Sequence, residues 1–324
     1  MRLILKPLAA VAVVIACLAV TFPRDSVDRV ISFDPASLPD DLDAYLAASE
    51  AQVADLTAGS AKRIVWAWAE GTKTPLAIVY VHGFSATAEE IRPVPDNVAR
   101  TAGANLFFMR LAGHGQGGAA LAQVTAGDWL EDMAEAMAIG RRLGDRVVLV
   151  ATSTGAPLAA IAATDAGLVD GLAGIVMISP NFGLKSASGV ILDMPLARWW
   201  GPVVAGATRS FTPENAQHAA HWTHVYPTTA LFPMAALVRE GRGLDFSTAM
   251  VPLLLIYAEA DRVIDPARIP AVSQAWAGPV TTAMLVMGPG DDPYSHVIAG
   301  DILSPGQTAR ATEVIVNWMG ANGL

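Results

Sequence analysis

The sequence is poor in cysteine, in positive charge and in low-complexity segments. Cys17 is the only cysteine among 324 residues, which excludes a disulfide framework and a thiolate metal site. The formal net charge is −9, and Lys and Arg form no cluster of the kind that binds phosphate backbones, so no nucleic-acid partner is expected. No charge block or internal repeat is present. A length of 324 residues allows one large globular domain or two of average size.

The first 22 residues contain a long apolar run, Pro7–Phe22, which follows the basic residues Arg2 and Lys6. Such a segment is typical of a signal peptide or of a signal anchor whose basic flank stays in the cytoplasm. Because no A-x-A cleavage site followed by polar residues is present, we expect an uncleaved membrane-anchor helix, with the rest of the chain on the periplasmic or extracellular side. Cys17 offers the alternative of a lipoprotein, since residues 14–16 before it resemble a lipobox.

The rest of the chain alternates strand-like and helix-like segments. Residues 23–62 form a polar connector with one predicted helix, Asp40–Leu56, and residues 63–324 form an α/β domain with a mostly parallel sheet flanked by helices. Several strands are apolar throughout, as expected of strands that are covered on both faces. The predicted strands are Arg63–Trp68, Leu76–Val81, Asn105–Leu111, Val147–Ala151, Ala173–Ser179, Pro252–Tyr257 and Thr281–Met287. The predicted helices are Val94–Thr101, Asp128–Leu143, Pro157–Thr164, Pro266–Trp276 and Thr308–Met319.

One interval, residues 181–250, interrupts this alternation. It contains no strand-like run and is rich in Trp, Phe, Met and Pro. An insertion of this length is too long for an ordinary connection between two strands. We therefore expect a helical cap that covers the functional site.

The segment Ala151-Thr152-Ser153-Thr154-Gly155 is the most informative motif of the chain. It lies between an apolar strand and an Ala-rich helix, and small residues stand two places before and two places after the serine. This is the pattern of a nucleophile elbow, with Ala151 in place of the usual first glycine. The pattern predicts that Ser153 is held above the sheet, at the N-terminus of the next helix.

His82-Gly83-Phe84 closes the strand before this motif in the chain. Attack on an ester generates a tetrahedral oxyanion, which needs two preorganised N–H donors. The backbone N–H groups of Thr154 and Phe84 are the candidates for this oxyanion hole.

Two later loops supply the partners that a nucleophilic serine requires. Asp261 follows the strand Pro252–Tyr257, where its carboxylate can orient an imidazole, and His296 follows the last strand. Asp265 is a competitor, but Pro266 after it predicts a helix cap, and Glu259 lies too close to the strand. The order Ser153, Asp261, His296 is that of the α/β-hydrolases.

Residues 63–320 resemble an α/β-hydrolase of the carboxylesterase and monoglyceride-lipase-like group, which is also labelled serine aminopeptidase S33-like. The resemblance implies an α/β-hydrolase fold and assigns an oxyanion loop, a glycine turn, an acid loop and a terminal histidine loop. The segments that carry it are His82-Gly83-Phe84-Ser85, Arg110-Leu111-Ala112-Gly113-His114-Gly115, Glu259-Ala260-Asp261-Arg262-Val263-Ile264 and Ser295-His296-Val297-Ile298. The elbow departs from the group in its polar neighbours Thr152 and Thr154, which leaves substrate preference open.

Other patterns allow different interpretations. Residues 113–118 fit G-x-G-x-x-G, but the acids of a dinucleotide fold are misplaced, and His114 is expected to be structural. His218, His221 and His224 form H-x-x-H-x-x-H, for which a metal site is conceivable and packed cap histidines are favoured. The aromatic residues of the cap can line an acyl pocket or form the core of the cap: Trp199, Trp200, Phe211, Trp222, Tyr226 and Phe232. Thr152 and Asn181 can face that pocket.

These observations predict a membrane-tethered serine hydrolase that cleaves a small-molecule acyl ester, lipid-like in character, through Ser153, His296 and Asp261. Neither a metal nor an organic cofactor is expected. The same groups can serve a peptidase, thioesterase, acyltransferase or cofactor-free perhydrolase. A tethered binding protein that kept the fold and lost the chemistry is the alternative outside enzymes.

Overall fold

A seven-stranded sheet forms the centre of the molecule, whose computed structural model describes residues 24–186 and 188–324. The strands along the chain are β1 (Arg63–Val65), β2 (Thr74–Val81), β3 (Asn105–Phe108), β4 (Gly144–Thr152), β5 (Leu172–Ile178), β6 (Thr208–Ser210), β7 (Val225–Pro227), β8 (Leu253–Tyr257) and β9 (Val280–Met284). The sheet has the order β1-β3-β2-β4-β5-β8-β9, and only β1 runs antiparallel to its neighbour. The predicted mostly parallel α/β sheet is confirmed.

Helices cover both faces of this sheet. They are α1 (Leu42–Glu50), α2 (Val94–Ala102), α3 (Gly118–Leu121), α4 (Ala126–Leu143), α5 (Gly155–Thr164), α6 (Ser188–Leu192), α7 (Ala197–Ala205), α8 (Ala216–His221), α9 (Leu231–Arg242), α10 (Ile269–Ala275) and α11 (Thr308–Ala321). One apolar core holds α4, α5 and α9, and the other holds α2 and α11. Alternate residues of β2 and β4 point into each core, which explains why these strands are apolar throughout.

Each predicted strand and helix outside the insertion is observed, with differences at the ends. The predicted strand Asn105–Leu111 ends at Phe108. Arg110, which follows it, is buried and forms a bidentate ion pair with Glu50 through two hydrogen bonds of 2.8 Å. Helix α4 begins two residues before the predicted start, since Thr125 and Asp128 form a capping box.

The connector before β1 is docked on the domain by polar contacts. Its predicted helix is present as α1, shorter than expected, and begins after the N-cap Asp41. Tyr45 donates a 2.7 Å hydrogen bond to Glu135 of α4, and Lys62 forms an ion pair with the same carboxylate. With the Glu50–Arg110 pair, these contacts fix the connector against α4 and the loop that follows β3.

The insertion between β5 and β8 contains the helices α6, α7, α8 and α9, as predicted for a cap. The expectation that residues 181–250 contain no strand is wrong, because β6 and β7 form a two-stranded antiparallel sheet within them. Each strand has only three residues and is exposed or half-buried, so no apolar run marks it. The predicted anchor, residues 1–22 with Cys17, lies outside the described residues. Within residues 24–186 and 188–324, no helix is long and apolar enough to cross a membrane.

Candidate active site

Ser153 lies in a sharp turn between β4 and α5. Its φ of 50° is in the left-handed region, which a residue other than glycine adopts only when its surroundings enforce it. The backbone supplies that constraint, since Ser153 N–H donates to the Ile178 carbonyl at 2.9 Å. Gly155 must lack a side chain, because a Cβ there would lie 2.6 Å from the Val81 carbonyl oxygen. The serine thus stands at the carboxyl end of the central strand, as the elbow pattern predicts.

The structure brings the three predicted side chains into one hydrogen-bonded chain. His296 Nε2 lies 2.9 Å from Ser153 Oγ, and His296 Nδ1 lies 2.8 Å from Asp261 Oδ2. All three residues are buried, with 6 %, 9 % and 1 % of the surface of Ser153, His296 and Asp261 exposed. This geometry allows the imidazole to take a proton from the serine while the carboxylate fixes its tautomer.

Asp261 is held by the loop in which it lies. Its Oδ1 accepts hydrogen bonds from the N–H groups of Val263 at 2.8 Å and Ile264 at 2.9 Å, which leaves Oδ2 for the imidazole. The competing acids lie elsewhere: Asp265 caps a 3₁₀ turn through the Ala267 N–H, and Glu259 is exposed.

Two residues that the sequence did not single out hold His296 by its backbone. Asp292 Oδ2 accepts the N–H groups of His296 and Val297, each at 2.8 Å. Ser179, at the end of β5, donates its hydroxyl to the His296 carbonyl at 2.6 Å. An Asp four residues before His296, in a loop that also contains Pro, is a local turn signal that sequence reasoning can use.

The electrostatic surroundings of His296 favour its charged form. Burial alone would lower the pKa of the imidazole, but the Asp261 carboxylate, with smaller effects from Glu90 and Asp292, raises this pKa above its usual value. The charge that develops on His296 when it accepts a proton is therefore stabilised by fixed negative groups.

The two predicted oxyanion donors are available. Within the described part of the chain, neither the N–H of Phe84 nor that of Thr154 donates to another protein atom. The Phe84 ring packs edge-on against the rings of His114, Trp129 and Tyr226, with centroid distances of 5.9, 6.4 and 5.4 Å. Tyr226 is a cap residue, so the cap reaches the oxyanion loop directly.

His82 and His114 are buried and bind backbone atoms. His82 Nε2 accepts the Leu111 N–H at 3.1 Å, so Nδ1 carries the proton and donates to the Gly83 carbonyl at 2.9 Å. Burial lowers the pKa of His82 to about 4 and that of His114 below its usual value, so both rings are neutral at pH 7. His82 joins the oxyanion loop to the glycine turn after β3, while His114 contacts the carbonyl of Ala112 within that turn.

The cap aromatics divide between packing and exposure. Trp222 and Phe232 are buried in the cores, whereas Trp199 is 64 % exposed on α7.

Asn181 Nδ2 lies 3.3 Å from Thr154 Oγ1 and 3.6 Å from Met234 Sδ on α9. A cavity of about 290 Å³ lies between α6 and α9, and its lining includes apolar residues and charged ones: Leu184, Leu192, Met234, Ala235 and Val238, with Asp193, Arg242 and Arg268.

The remaining patterns take structural positions. Gly113, Gly115 and Gly117 have positive φ angles and precede the four-residue helix α3. His218 accepts the Glu214 N–H at 3.1 Å and stacks on Phe211 with centroids 5.3 Å apart. In residues 24–186 and 188–324, no group of three or more His, Cys, Asp or Glu side chains is placed to hold a metal ion.

Comparison with known families identifies one match. The profile of the family described as serine aminopeptidase, S33, matches residues 72–284, which include β2 to β9 and the cap. No sequence among the curated proteins compared matches the chain.

Several solved structures share the fold. One structure comes from work on LipS and LipT, two metagenome-derived lipolytic enzymes. Its sequence is 19 % identical to this chain, the TM-score is 0.65, and the match covers 82 % of this chain and 99 % of that one. A monoacylglycerol lipase from Paleococcus ferrophilus is 16 % identical with a TM-score of 0.56, covering 81 % and 98 %. A soluble variant of the monoglyceride lipase from Saccharomyces cerevisiae is 10 % identical with a TM-score of 0.57, covering 81 % and 91 %. At these identities the likeness concerns the α/β-hydrolase fold alone.

Proposed function

The chain belongs to the serine aminopeptidase S33 family of α/β-hydrolases, and from this premise we propose that it is a serine hydrolase cleaving carboxylic esters. The observation that carries the proposal is the position of His296, 2.9 Å from Ser153 Oγ on one side and 2.8 Å from Asp261 Oδ2 on the other. A buried histidine that bridges a serine in an elbow and a fixed carboxylate has the geometry of a general base.

The reaction proceeds in two halves. In the first, Ser153 Oγ bonds to the substrate carbonyl carbon, its proton passes to His296 Nε2, and the N–H groups of Phe84 and Thr154 stabilise the oxyanion. The oxyanion then collapses, the bond to the leaving alkoxide breaks, and His296 returns the proton to that oxygen. In the second half, water attacks the acyl-serine with His296 as base, which releases the carboxylic acid and restores Ser153.

The proposed substrate is a lipid-like acyl ester. Met234 lines the cavity between α6 and α9, and Asn181 contacts both Met234 and Thr154 of the elbow. We assign the acyl chain to the apolar side of this cavity, whose volume is about 290 Å³. Because Ser153 and His296 are buried, substrate entry requires the cap to move.

The proposed location is the outer side of a membrane, with residues 1–22 as the anchor. Where the described chain begins, Asp25 forms a 2.6 Å ion pair with Arg198 of α7. The next residues on this helix expose an apolar surface: Trp199 is 64 %, Val203 84 % and Val204 71 % exposed. Residues 194–213 contain no acidic side chain. Because Asp25 is paired with Arg198, an anchor formed by residues 1–22 would hold this surface of α7 against the bilayer.

The alternatives differ in the bond that is broken. A test is to measure kcat/KM of the purified full-length protein on matched acyl esters, acyl thioesters and aminoacyl amides with the same acyl group. The proposal predicts that the ester is preferred. A preference for the aminoacyl amide would support the peptidase alternative, and a preference for the thioester would support a thioesterase. No turnover of any substrate by a folded protein would favour the non-catalytic binding protein.

A further inference from the structure

Glu90 is a buried carboxyl group that the mechanism above does not use. It follows the oxyanion loop in sequence and is 2 % exposed. Its Oε2 accepts the N–H of Gly83 at 2.7 Å and the hydroxyl of Tyr80 at 3.1 Å. Among the described residues, no Lys or Arg forms an ion pair with it, so the carboxyl is held by neutral donors alone.

The carboxyl group lies directly behind the serine. A Cβ added to Gly83 would lie 2.7 Å from Glu90 Oε1 and 3.1 Å from Ser153 Cβ, so the Gly83 backbone is enclosed between these two side chains. The Tyr80 hydroxyl lies 3.2 Å from Thr152 Oγ1, in the residue before Ser153. Glu90 thus contacts the oxyanion loop directly and reaches the elbow through Tyr80.

The adjacent acid, Glu89, lies in a different electrostatic environment from Glu90. Glu89 is paired with Arg63 at 2.7 Å and with Arg92 at 3.0 Å, so its charge is neutralised near the surface. Glu90 instead lies across Gly83 from Ser153, whose Oγ is 2.9 Å from His296 Nε2, and its carboxylate favours the charged form of His296. Burial raises the pKa of Glu90 to about 7, against the opposing effects of the Gly83 N–H, His296 and Tyr80, so the carboxyl is partly ionised at pH 7 and gains charge as the pH rises. The other titratable groups that act on His296 are Asp261 and Asp292.

We propose that Glu90 is a positioning residue of the active site: it fixes the oxyanion loop through Gly83 and supplies, with Asp261, negative charge that stabilises protonated His296. The proposal rests on the proposed function, since it concerns how the same site controls its base. Glu90 would therefore affect catalysis in two separable ways. Its charge stabilises protonated His296, and the length of its side chain allows the hydrogen bond with Gly83.

Two substitutions separate these contributions. Glu90→Gln keeps the shape and an oxygen that can accept the Gly83 N–H, but it removes the charge. Glu90→Asp keeps the charge but shortens the side chain. Glu89→Gln is the matched control, because it removes the same charge one residue away, where two arginines already neutralise it.

The measurements are the pKa of His296 by NMR of the imidazole nitrogens, and kcat and KM for a short-chain ester between pH 5 and 9. We expect Glu90→Gln to lower the pKa of His296, to move the acid limb of kcat/KM to lower pH, and to reduce kcat roughly 10-fold with KM unchanged. Glu90→Asp should reduce kcat but leave the pKa of His296 close to that of the wild type. Glu89→Gln should change neither quantity.

The proposal is overturned if the pKa of His296 and the acid limb are the same in Glu90→Gln and the wild type. If Glu90→Gln does not fold, Tyr80→Phe tests the same point, because loss of this donor makes Glu90 less ionised and should lower the pKa of His296. The NMR measurement does not depend on turnover. A shift of the His296 pKa in a protein that hydrolyses no ester would therefore support the role of Glu90 and count against the proposed function.

Discussion

Asp292 holds His296 by its main chain, through a 2.8 Å hydrogen bond from the His296 N–H to Asp292 Oδ2. The same oxygen accepts the Val297 N–H, so the loop is closed on both sides of the histidine. The position of the imidazole between Ser153 and Asp261 thus depends on a carboxylate that does not contact the ring nitrogens.

Asp292→Asn should reduce activity while leaving the fold intact. The amide retains one oxygen acceptor but loses the charge that strengthens both hydrogen bonds and raises the pKa of His296. We expect kcat for a short ester to fall roughly 10-fold, with a change in Tm of a few degrees. Asp291→Asn is the control, because Asp291 binds Gly288 and Gln307 and not the histidine. Equal activity of the two variants would contradict this role of Asp292.

Gly155→Ala should destabilise the protein. The added Cβ would lie 2.6 Å from the Val81 carbonyl oxygen and 2.9 Å from its Cγ1, so β2 and α5 must move apart. We expect a loss of about 1–3 kcal/mol in the free energy of unfolding, measured by chemical denaturation. Gly320→Ala, on α11, is the control because nothing lies within 4 Å of its new methyl group. That substitution should stabilise the protein slightly, and equal destabilisation by both would argue against close packing at the elbow.

Ala235→Phe should shift acyl-chain preference. Ala235 is 7 % exposed and lines the cavity between α6 and α9, so a larger side chain there occupies space assigned to the substrate. We expect kcat/KM for medium-chain esters to fall by at least roughly 10-fold relative to acetate esters. Ala309→Phe, at an exposed position of α11, should leave the ratio unchanged. An unchanged ratio in Ala235→Phe would place the acyl group elsewhere.

Substitution of Trp199 and Val203 by Ser should weaken the contact of the cap with lipid. Both residues are exposed on α7, next to the Asp25–Arg198 ion pair. In full-length protein reconstituted into vesicles with brominated lipids, we expect Trp199→Phe to remove part of the tryptophan quenching and the double Ser variant to slow hydrolysis of vesicle-borne esters only. Trp68→Ser is the control, since Trp68 is 69 % exposed and follows β1, the edge strand of the sheet. Quenching that depends on Trp68 and not on Trp199 would contradict the proposed orientation.

Much of this arrangement could be predicted from sequence because it is encoded locally. Most of the seven sheet strands are rich in apolar residues, and the elbow, acid loop and histidine loop each follow a strand that ends at the same edge of the sheet. The order of the motifs then limits which side chains can meet. Ser153, Asp261 and His296 were selected in this way, although 143 residues separate the serine from the histidine.

The supporting residues could not be predicted in the same way. Ser179 and Asp292 bind backbone atoms of His296, and a backbone partner leaves no pattern in the side-chain sequence. Glu90 reads as one of two adjacent acids, and only the fold shows that one is neutralised at the surface while the other is buried. The strands β6 and β7 have three residues each, and no apolar run marks them, so the sequence pattern does not predict them.

The central claim is that Ser153 is a nucleophile activated by His296. It is tested most directly by labelling the full-length protein with a fluorophosphonate probe and comparing the wild type with Ser153→Ala and His296→Ala. We predict rapid labelling of the wild type, none in Ser153→Ala, and labelling slowed by several orders of magnitude in His296→Ala. A folded wild type that is not labelled, or labelling that persists in Ser153→Ala, would contradict this account of the site.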